Sequence, residues 1–219
     1  MIVALIIYMT LQLPLFSSSV NFSEPQDKFK DSALLVPDLI QKHGYPCENH
    51  TVVTPDGYIL KMHRIPYGKK SFSEKRSVTY LQHGMLASSA DWVLPGPRKG
   101  FAYILADFGY NVLMSNVRGT GYSRKHTYLD PERHSLEFWD FSWHEMGVIH
   151  IPTMIDHIIN KTNENKLFYI GHLQGATVFY VMCSAMFSLA PIASLKHMIS
   201  PLLLVVAEFR TGILISITY

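Results

Sequence analysis

The sequence predicts an α/β protein in which a mostly parallel sheet carries helices on both faces. Short stretches rich in β-branched and aromatic residues alternate along the chain with stretches that have a helical apolar period. Strands that alternate with helices in this way are typical of a parallel sheet covered on both sides. The chain has 219 residues, of which 48% are hydrophobic, so it can bury a sizeable core. One domain is therefore predicted over residues 20–219.

The predicted elements follow in chain order. A short helix over 38–43 ends at Gly44, and a hairpin then folds around Pro55-Asp56-Gly57, because proline and glycine preset the backbone angles of a tight turn. A polar surface loop is expected over 66–76. The predicted strands are 48–54, 58–65, 77–82, 111–115, 166–171 and 195–199, and the predicted helices after the first are 99–108, 142–159 and 174–189.

The amino terminus has the pattern of a secretory signal. Residues 1–16 are almost wholly apolar and are followed by Ser17-Ser18-Ser19, small residues that suit cleavage by a signal peptidase near residue 19. No lysine or arginine precedes the apolar run, so its positive end would be the amino group alone. The run is short for a bilayer span and is broken by Pro14. A cleaved signal over 1–19, without a transmembrane span, is expected.

Secretion agrees with three triplets of the form N-x-S/T, which predict glycosylation at Asn21, Asn49 and Asn160. The two cysteines, Cys47 and Cys183, would pair only if the fold brings them together. Because the sequence does not decide this, two unpaired thiols are the expectation.

Charge and motif spacing argue against nucleic acid, metal and cofactor. Lys+Arg 19 against Asp+Glu 17 gives a net charge of +2, and no basic block interleaved with aromatics is present, so nucleic acid is excluded as a partner. His144-Glu145 resembles part of a zinc-protease helix, but position 148 is valine where that motif needs histidine. The glycine-rich run at 118–121 lacks the spacing of a phosphate loop. No metal or cofactor is predicted.

The most informative motif is Gly171-His172-Leu173-Gln174-Gly175, between a predicted strand and a predicted helix. It matches the nucleophile elbow G-x-S-x-G, in which Gly171 and Gly175 would permit a sharp turn that lifts a serine hydroxyl above the sheet. Leu173 occupies the serine position. Leucine has no lone pair and no acidic proton, so it cannot form a covalent acyl intermediate.

A second motif predicts the oxyanion hole that accompanies such an elbow. His83-Gly84-Met85 follows the strand predicted over 77–82, where its loop can direct a backbone N–H toward the elbow. The predicted donors are the N–H groups of Met85 and of Gln174, the residue after the nucleophile position. Both are backbone groups, so the leucine at 173 leaves them chemically available to stabilise negative charge.

Several further segments resemble the acid lipase family of gastric, lysosomal and insect digestive lipases. The resemblance runs from about Leu35 to about Leu203. It implies an α/β-hydrolase fold, hydrolysis of triacylglycerols and sterol esters by a Ser-Asp-His triad, no cofactor, and a secreted or lysosomal location. The segments that carry it are LIQKHGYP at 39–46, DGYIL at 56–60, HRIP at 63–66, LQHGM at 81–85, SSADW at 88–92, NVRG at 116–119 and FWDFSWHEMG at 138–147.

Two departures from this family limit the function that carries over. The first is Leu173. The second is the order of triad residues, Ser then Asp/Glu then His, because the only acidic residue after Leu173 is Glu208 and the only later histidine, His197, precedes it. We therefore expect only the N-terminal portion of an α/β-hydrolase, with the cap and last strands missing, and a lipid-ester hydrolase homologue that is catalytically inactive.

Alternatives to an inactive homologue remain. The chain could be a non-catalytic secreted protein that binds neutral lipid, a fatty ester or a lipase, in contact with lipid surfaces. Water attack within the oxyanion hole could leave weak esterase activity. A longer reading frame with serine at 173 and a downstream Asp and His would instead encode an ordinary triad lipase.

Overall fold

The computed structural model describes residues 35–69 and 75–189, with side chains up to Ser184. The predicted signal segment, Asn21 and the strand predicted over 195–199 lie outside this part. The described strands are β1 (Glu48–Val53), β2 (Tyr58–Ile65), β3 (Val78–Gln82), β4 (Asn111–Ser115), β5 (Lys125–His126) and β6 (Leu167–Gly171). The helices are α1 (Val36–Lys42), α2 (Phe101–Asp107), α3 (Ser135–Phe138), α4 (Trp143–Glu145), α5 (Ile151–Thr162) and α6 (Gln174–Leu189).

The strands form one sheet in the order β1-β2-β4-β3-β6, with the short β5 beside β2. The β4-β3-β6 part is parallel, as the alternation of strands and helices predicts. The N-terminal hairpin adds β1 and β2 in antiparallel pairing, so the described sheet is mixed. The parallel strands β3 and β6 both end at the edge where Gln82 pairs with Gly171, which is where the two predicted motifs begin.

Helices cover both faces of the sheet, as predicted. Leu113 of β4 belongs to one buried cluster, which includes α5 and α6, whereas its neighbours Val112 and Met114 belong to the other, which includes α1 and α2. Successive side chains of a strand point to opposite faces. The core therefore consists of two apolar layers with the sheet between them.

The helix predicted over 142–159 is interrupted. Ser142 caps α4 through a capping box with Glu145, and a π-helical turn over Met146–His150 separates α4 from α5. Pro152 lacks the N–H that would bond to the carbonyl four residues earlier, so a wider turn is a physically reasonable way to enter α5. The elements β5 and α3 are not predicted from the sequence, because each is too short to show a period of apolar residues.

A buried ion pair ties the hairpin turn to the segment that follows β4. The guanidinium of Arg118 is fully buried and makes two hydrogen bonds to the carboxylate of Asp56 in the turn. It also lies 4.1 Å from the ring centroid of Tyr58, a cation–π contact. Burial acts to raise the pKa of Asp56, but the hydrogen bonds and charge of Arg118 outweigh it and lower that pKa below 3.8.

Other sequence predictions can be located in the described residues. Both cysteines are free thiols, in agreement with the expectation. Asn49 on β1 and Asn160 near the end of α5 are exposed, so both predicted glycosylation sites are accessible. None of the helices described between residues 35 and 189 has the length and apolar content needed to cross a bilayer.

Candidate functional site

The elbow predicted at residues 171–175 forms a sharp turn between β6 and α6. Leu173 has a φ of 49°, in the left-handed region that few non-glycine residues adopt. The turn is held by backbone hydrogen bonds, one from His172 N–H to the carbonyl of Gln82 at 3.0 Å and one from Ala176 N–H to the carbonyl of Leu173 at 2.9 Å. The backbone strain expected of a nucleophile elbow is therefore present although the nucleophile is not.

Both elbow glycines are required by close backbone packing. A Cβ at Gly171 would lie 2.5 Å from the carbonyl carbon of Gly175, and a Cβ at Gly175 would lie 2.4 Å from the carbonyl oxygen of Gln82. Carbon atoms do not approach backbone this closely. The Tyr169 hydroxyl further donates a hydrogen bond to the Gly175 carbonyl at 2.7 Å. The close approach of β3, β6 and α6 thus explains why the motif has glycine at both positions.

The loop after β3 lies against the elbow, as its sequence predicts. A Cβ built at Gly84 would be 3.3 Å from the Cβ of Leu173 and 3.2 Å from the carbonyl oxygen of His172. Gln174 is the first residue of α6, where backbone N–H groups have no acceptor within the helix. The structure therefore brings the segment containing Met85 next to the start of α6. The oxyanion-hole roles of Met85 and Gln174 remain predictions.

The sequence identifies His83 as part of the loop motif but does not predict the role of its ring. Its buried ring bridges two backbone groups: Nδ1 donates to the carbonyl of Gly84 at 2.7 Å, and Nε2 accepts from the N–H of Val117 at 3.1 Å. This pair of contacts requires the neutral ring with its proton on Nδ1. Burial lowers the pKa of His83, which agrees with a neutral ring. The contact fixes the Gly84 loop to the segment after β4.

Gln82 forms the buried support beneath the elbow, a role that its sequence context also does not reveal. Its side-chain oxygen accepts hydrogen bonds from the hydroxyls of Tyr80 at 2.9 Å and Ser115 at 2.7 Å. His150 lies behind Ser115, and burial lowers the pKa of His150 to about 3, so its ring is neutral. Gln82, whose backbone contacts both His172 and Gly175, is therefore held through its side chain by two buried hydroxyls, those of Tyr80 and Ser115.

Among the described residues, neither Leu173 nor Cys183 can supply the missing nucleophile at the elbow. Leu173 is 64% exposed and presents only hydrocarbon. Cys183 lies ten positions further along α6, about 15 Å away at 1.5 Å per residue. In the described residues, no three His, Cys, Asp or Glu side chains are grouped as metal ligands. His144, considered for a zinc motif, is exposed, and the next histidine, His150, is buried on the π-helical turn.

Comparison with known proteins gives a consistent set of similarities. A family model described as partial alpha/beta-hydrolase lipase region matches residues 36–96, and one described as alpha/beta hydrolase fold matches residues 80–185. Lipase 1 of Drosophila melanogaster is 49% identical over 76% of this chain and 37% of its own length. Gastric triacylglycerol lipase of Mus musculus is 42% identical over 82% of this chain and 48% of its own length.

The similarity to these relatives covers only part of them. The chain spans about half the length, or less, of the curated relatives it matches. Among solved structures, an esterase of Pyrococcus furiosus, Pf2001, is 18% identical with a TM-score of 0.46, over 66% of this chain and 48% of that one. The two family models together span the elbow, the loop after β3 and the N-terminal hairpin.

Proposed function

This chain belongs to the acid lipase family and has the α/β-hydrolase fold, and we propose that it is a lipid-ester hydrolase homologue that cannot carry out acyl transfer. The observation that carries the proposal is Leu173, which occupies the strained, exposed position of the elbow. The remaining scaffold of the elbow is intact around it. Leu173 alone is therefore sufficient for loss of acyl transfer, even with the elbow backbone in place, and the expected absence of the triad Asp and His acts in the same direction.

Acyl transfer depends on the nucleophile that is missing at position 173. Acyl transfer needs a nucleophile whose oxygen or sulfur attacks the ester carbonyl, with a base to take its proton. Leucine offers neither, and in a well-studied serine protease the loss of the serine lowers turnover by about 10⁶-fold. What remains is the predicted oxyanion hole, which on its own supports only a small residue of catalysis.

A second function, binding of neutral lipid or a fatty ester without turnover, is favoured by the apolar surface at the elbow. Met85, Leu86 and Leu173 are all largely exposed, and the first and last belong to segments that lie side by side. An apolar rim above backbone donors suits an ester with a hydrocarbon chain. A lipase partner would be held by the same surface.

One experiment separates these functions. The purified chain is incubated with a fluorescent fatty-acyl ester in detergent-free emulsion, and both the bound fraction and the released fatty acid are measured. We expect no fatty acid above the buffer control, whereas mouse gastric lipase releases it under the same conditions. Saturable binding of intact ester supports the second function. Release of fatty acid in proportion to added chain would contradict the proposed loss of acyl transfer.

We further propose that the protein is secreted or lysosomal and carries glycans at Asn49 and Asn160. Support comes from the signal pattern in the sequence and from the exposure of both asparagines. Protein recovered from eukaryotic cells should lose mass in two steps on digestion with peptide N-glycosidase F. Asn49→Gln and Asn160→Gln should each remove one step, and an unshifted wild-type band would rule out both glycans.

A further inference from the structure

Two histidines outside the elbow contact each other where α5 packs on the edge strand β1. His50 on β1 is buried, and its Nδ1 lies 3.1 Å from Nε2 of the partly buried His157 on α5. The two rings meet edge to face, with centroids 5.2 Å apart. Neither residue takes part in the elbow site. We call this pair, His50 with His157, the histidine latch.

The latch is part of a short chain of hydrogen bonds. His50 Nε2 lies 3.1 Å from a carboxylate oxygen of Glu48, which also accepts from Arg64 Nη1 at 2.9 Å. A carboxylate only accepts hydrogen bonds, so His50 Nε2 carries a proton. In the neutral latch, His50 Nδ1 is then the acceptor and His157 Nε2 the donor. Each of the three contacting ring nitrogens then has a matched partner.

The number of protons bound by the two rings decides whether the contact between them can persist. One added proton is tolerated, because His50 can donate from both ring nitrogens when the neutral His157 ring accepts at Nε2. With two added protons both facing nitrogens carry hydrogen and both rings are positive at 3.1 Å. The hydrogen bond is then lost and replaced by repulsion between like charges.

The charges that face the latch do not compensate for a second proton. Glu48 on β1 is the one acidic side chain in contact with it within the described residues, and Arg64 on β2 shares that carboxylate. Lys161 on α5 adds positive charge near both rings. Opposite His50 on β2 stands Met62, which is uncharged. Burial is the largest influence and lowers the pKa of both histidines; Glu48 acts to raise the pKa of His50 but does not outweigh burial and the neighbouring positive charges.

We propose that the histidine latch is a pH-sensitive contact that holds α5 on the edge strand β1 near neutral pH and releases it in acid. The closed latch accommodates one proton, whereas the open state takes two. The contact lies at the β1 edge of the sheet, at the opposite end of the strand order from β6. The inference concerns the packing of α5 and β1 and does not depend on whether the elbow is catalytic.

The direction of the pH dependence follows from the lowered pKa values. A histidine whose pKa is lower in the closed state than its ordinary 6.5 stabilises that state above about pH 6.5. That contribution is lost as the pH falls from there through the lowered pKa. A difference of one bound proton changes the opening equilibrium by up to tenfold per pH unit, or about thirtyfold between pH 6.5 and 5.0.

Amide hydrogen exchange of the full chain tests the latch. Protection factors are measured for β1 and for residues 157–162 at pH 7.5 and pH 5.0, in the wild type and in His157→Phe, which keeps an aromatic ring but cannot be protonated. We expect protection in these segments to fall more than tenfold in the wild type and less than threefold in His157→Phe. His144→Phe, which replaces an exposed histidine on α4, should behave like the wild type.

The comparison between variants is needed because three other buried histidines, His63, His83 and His150, also have lowered pKa values. Their protonation in acid lowers global stability in every variant. Opening of the latch instead lowers amide protection locally, in β1 and residues 157–162, and this local effect should be absent from His157→Phe. If the variant does not fold, histidine ring titration by NMR in the wild type serves instead. It should show one proton taken up by the pair between pH 7 and 5. Equal loss of protection in both proteins, or independent titration of both rings near 6.5, would overturn the proposal.

Discussion

Replacing Asp56 by alanine will lower the free energy of unfolding by about 3–5 kcal/mol, the usual cost of leaving a buried charge without its partner. Arg118 is fully buried, and its guanidinium depends on the Asp56 carboxylate for its two hydrogen bonds. Cation–π contact with Tyr58 offsets only part of that loss. Urea denaturation at pH 7 measures the change.

Replacing the other member of the pair, Arg118, should lower the free energy of unfolding by less. This difference distinguishes an ion-pair effect from general disruption of the turn. Asp56 retains 29% of its side-chain exposure, so water can solvate its carboxylate when Arg118 is replaced by methionine. We expect a loss of about 1–3 kcal/mol for Arg118→Met. Glu132→Ala, at an exposed position, should stay within about 0.5 kcal/mol of the wild type. A loss in Arg118→Met as large as that in Asp56→Ala would contradict this explanation.

The pH dependence of the same pair has a definite sign. The pKa of Asp56 is lowered by Arg118 in the folded protein, so the pair stabilises the fold above the ordinary carboxyl pKa of 3.8. That contribution is lost as the pH falls through the lowered value. The difference in stability between wild type and Asp56→Ala should therefore shrink below about pH 4.

Gly175→Ala will also destabilise the fold, by up to about 2 kcal/mol net, although alanine is the better helix former. The new Cβ would lie 2.4 Å from the carbonyl oxygen of Gln82, an atom of the central strand β3 that cannot move aside. Overpacking costs about 1–3 kcal/mol or more, and it must exceed the gain of about 1 kcal/mol from helix propensity. Thermal denaturation followed by circular dichroism measures the effect.

Gly121→Ala is the matched control for this substitution, because a Cβ added there would have nothing within 4 Å and the φ of Gly121 is not positive. The midpoint temperature of its thermal denaturation should equal or slightly exceed that of the wild type. If Gly175→Ala were as stable as Gly121→Ala, β3, β6 and α6 would not meet as closely as described. The glycine of the motif would then have no steric explanation.

Much of the fold can be predicted from the sequence, because the strands of the central sheet are short apolar runs bounded by turn residues. The bounds of β2 and β4 agree with the prediction, and the helix between β3 and β4 lies within its predicted range. The helix over 142–159 is predicted as continuous, since apolar periodicity does not register a π-helical turn of five residues. Both strands of the N-terminal hairpin are identified, but their neighbours in the sheet depend on long-range packing.

The site is predictable to the extent that it is built from backbone. The glycines at 171 and 175 and the loop at 83–85 are recognised by local pattern, and the structure places them together. The roles of His83 and Gln82 are not predictable, because each depends on partners more than thirty positions away, Val117 and Ser115. The histidine latch is likewise invisible in the sequence, where its members stand 107 positions apart.

The most direct test of the central claim, that an intact elbow carries no nucleophile, is intact-mass spectrometry after treatment with a fluorophosphonate. An activated serine attacks the phosphorus of this reagent, fluoride leaves, and the protein gains the phosphonyl group. We predict that the mass of this chain is unchanged, while mouse gastric lipase treated in parallel is fully converted. A stoichiometric adduct that maps to the segment around Leu173 or to the loop at 83–85 would contradict the account.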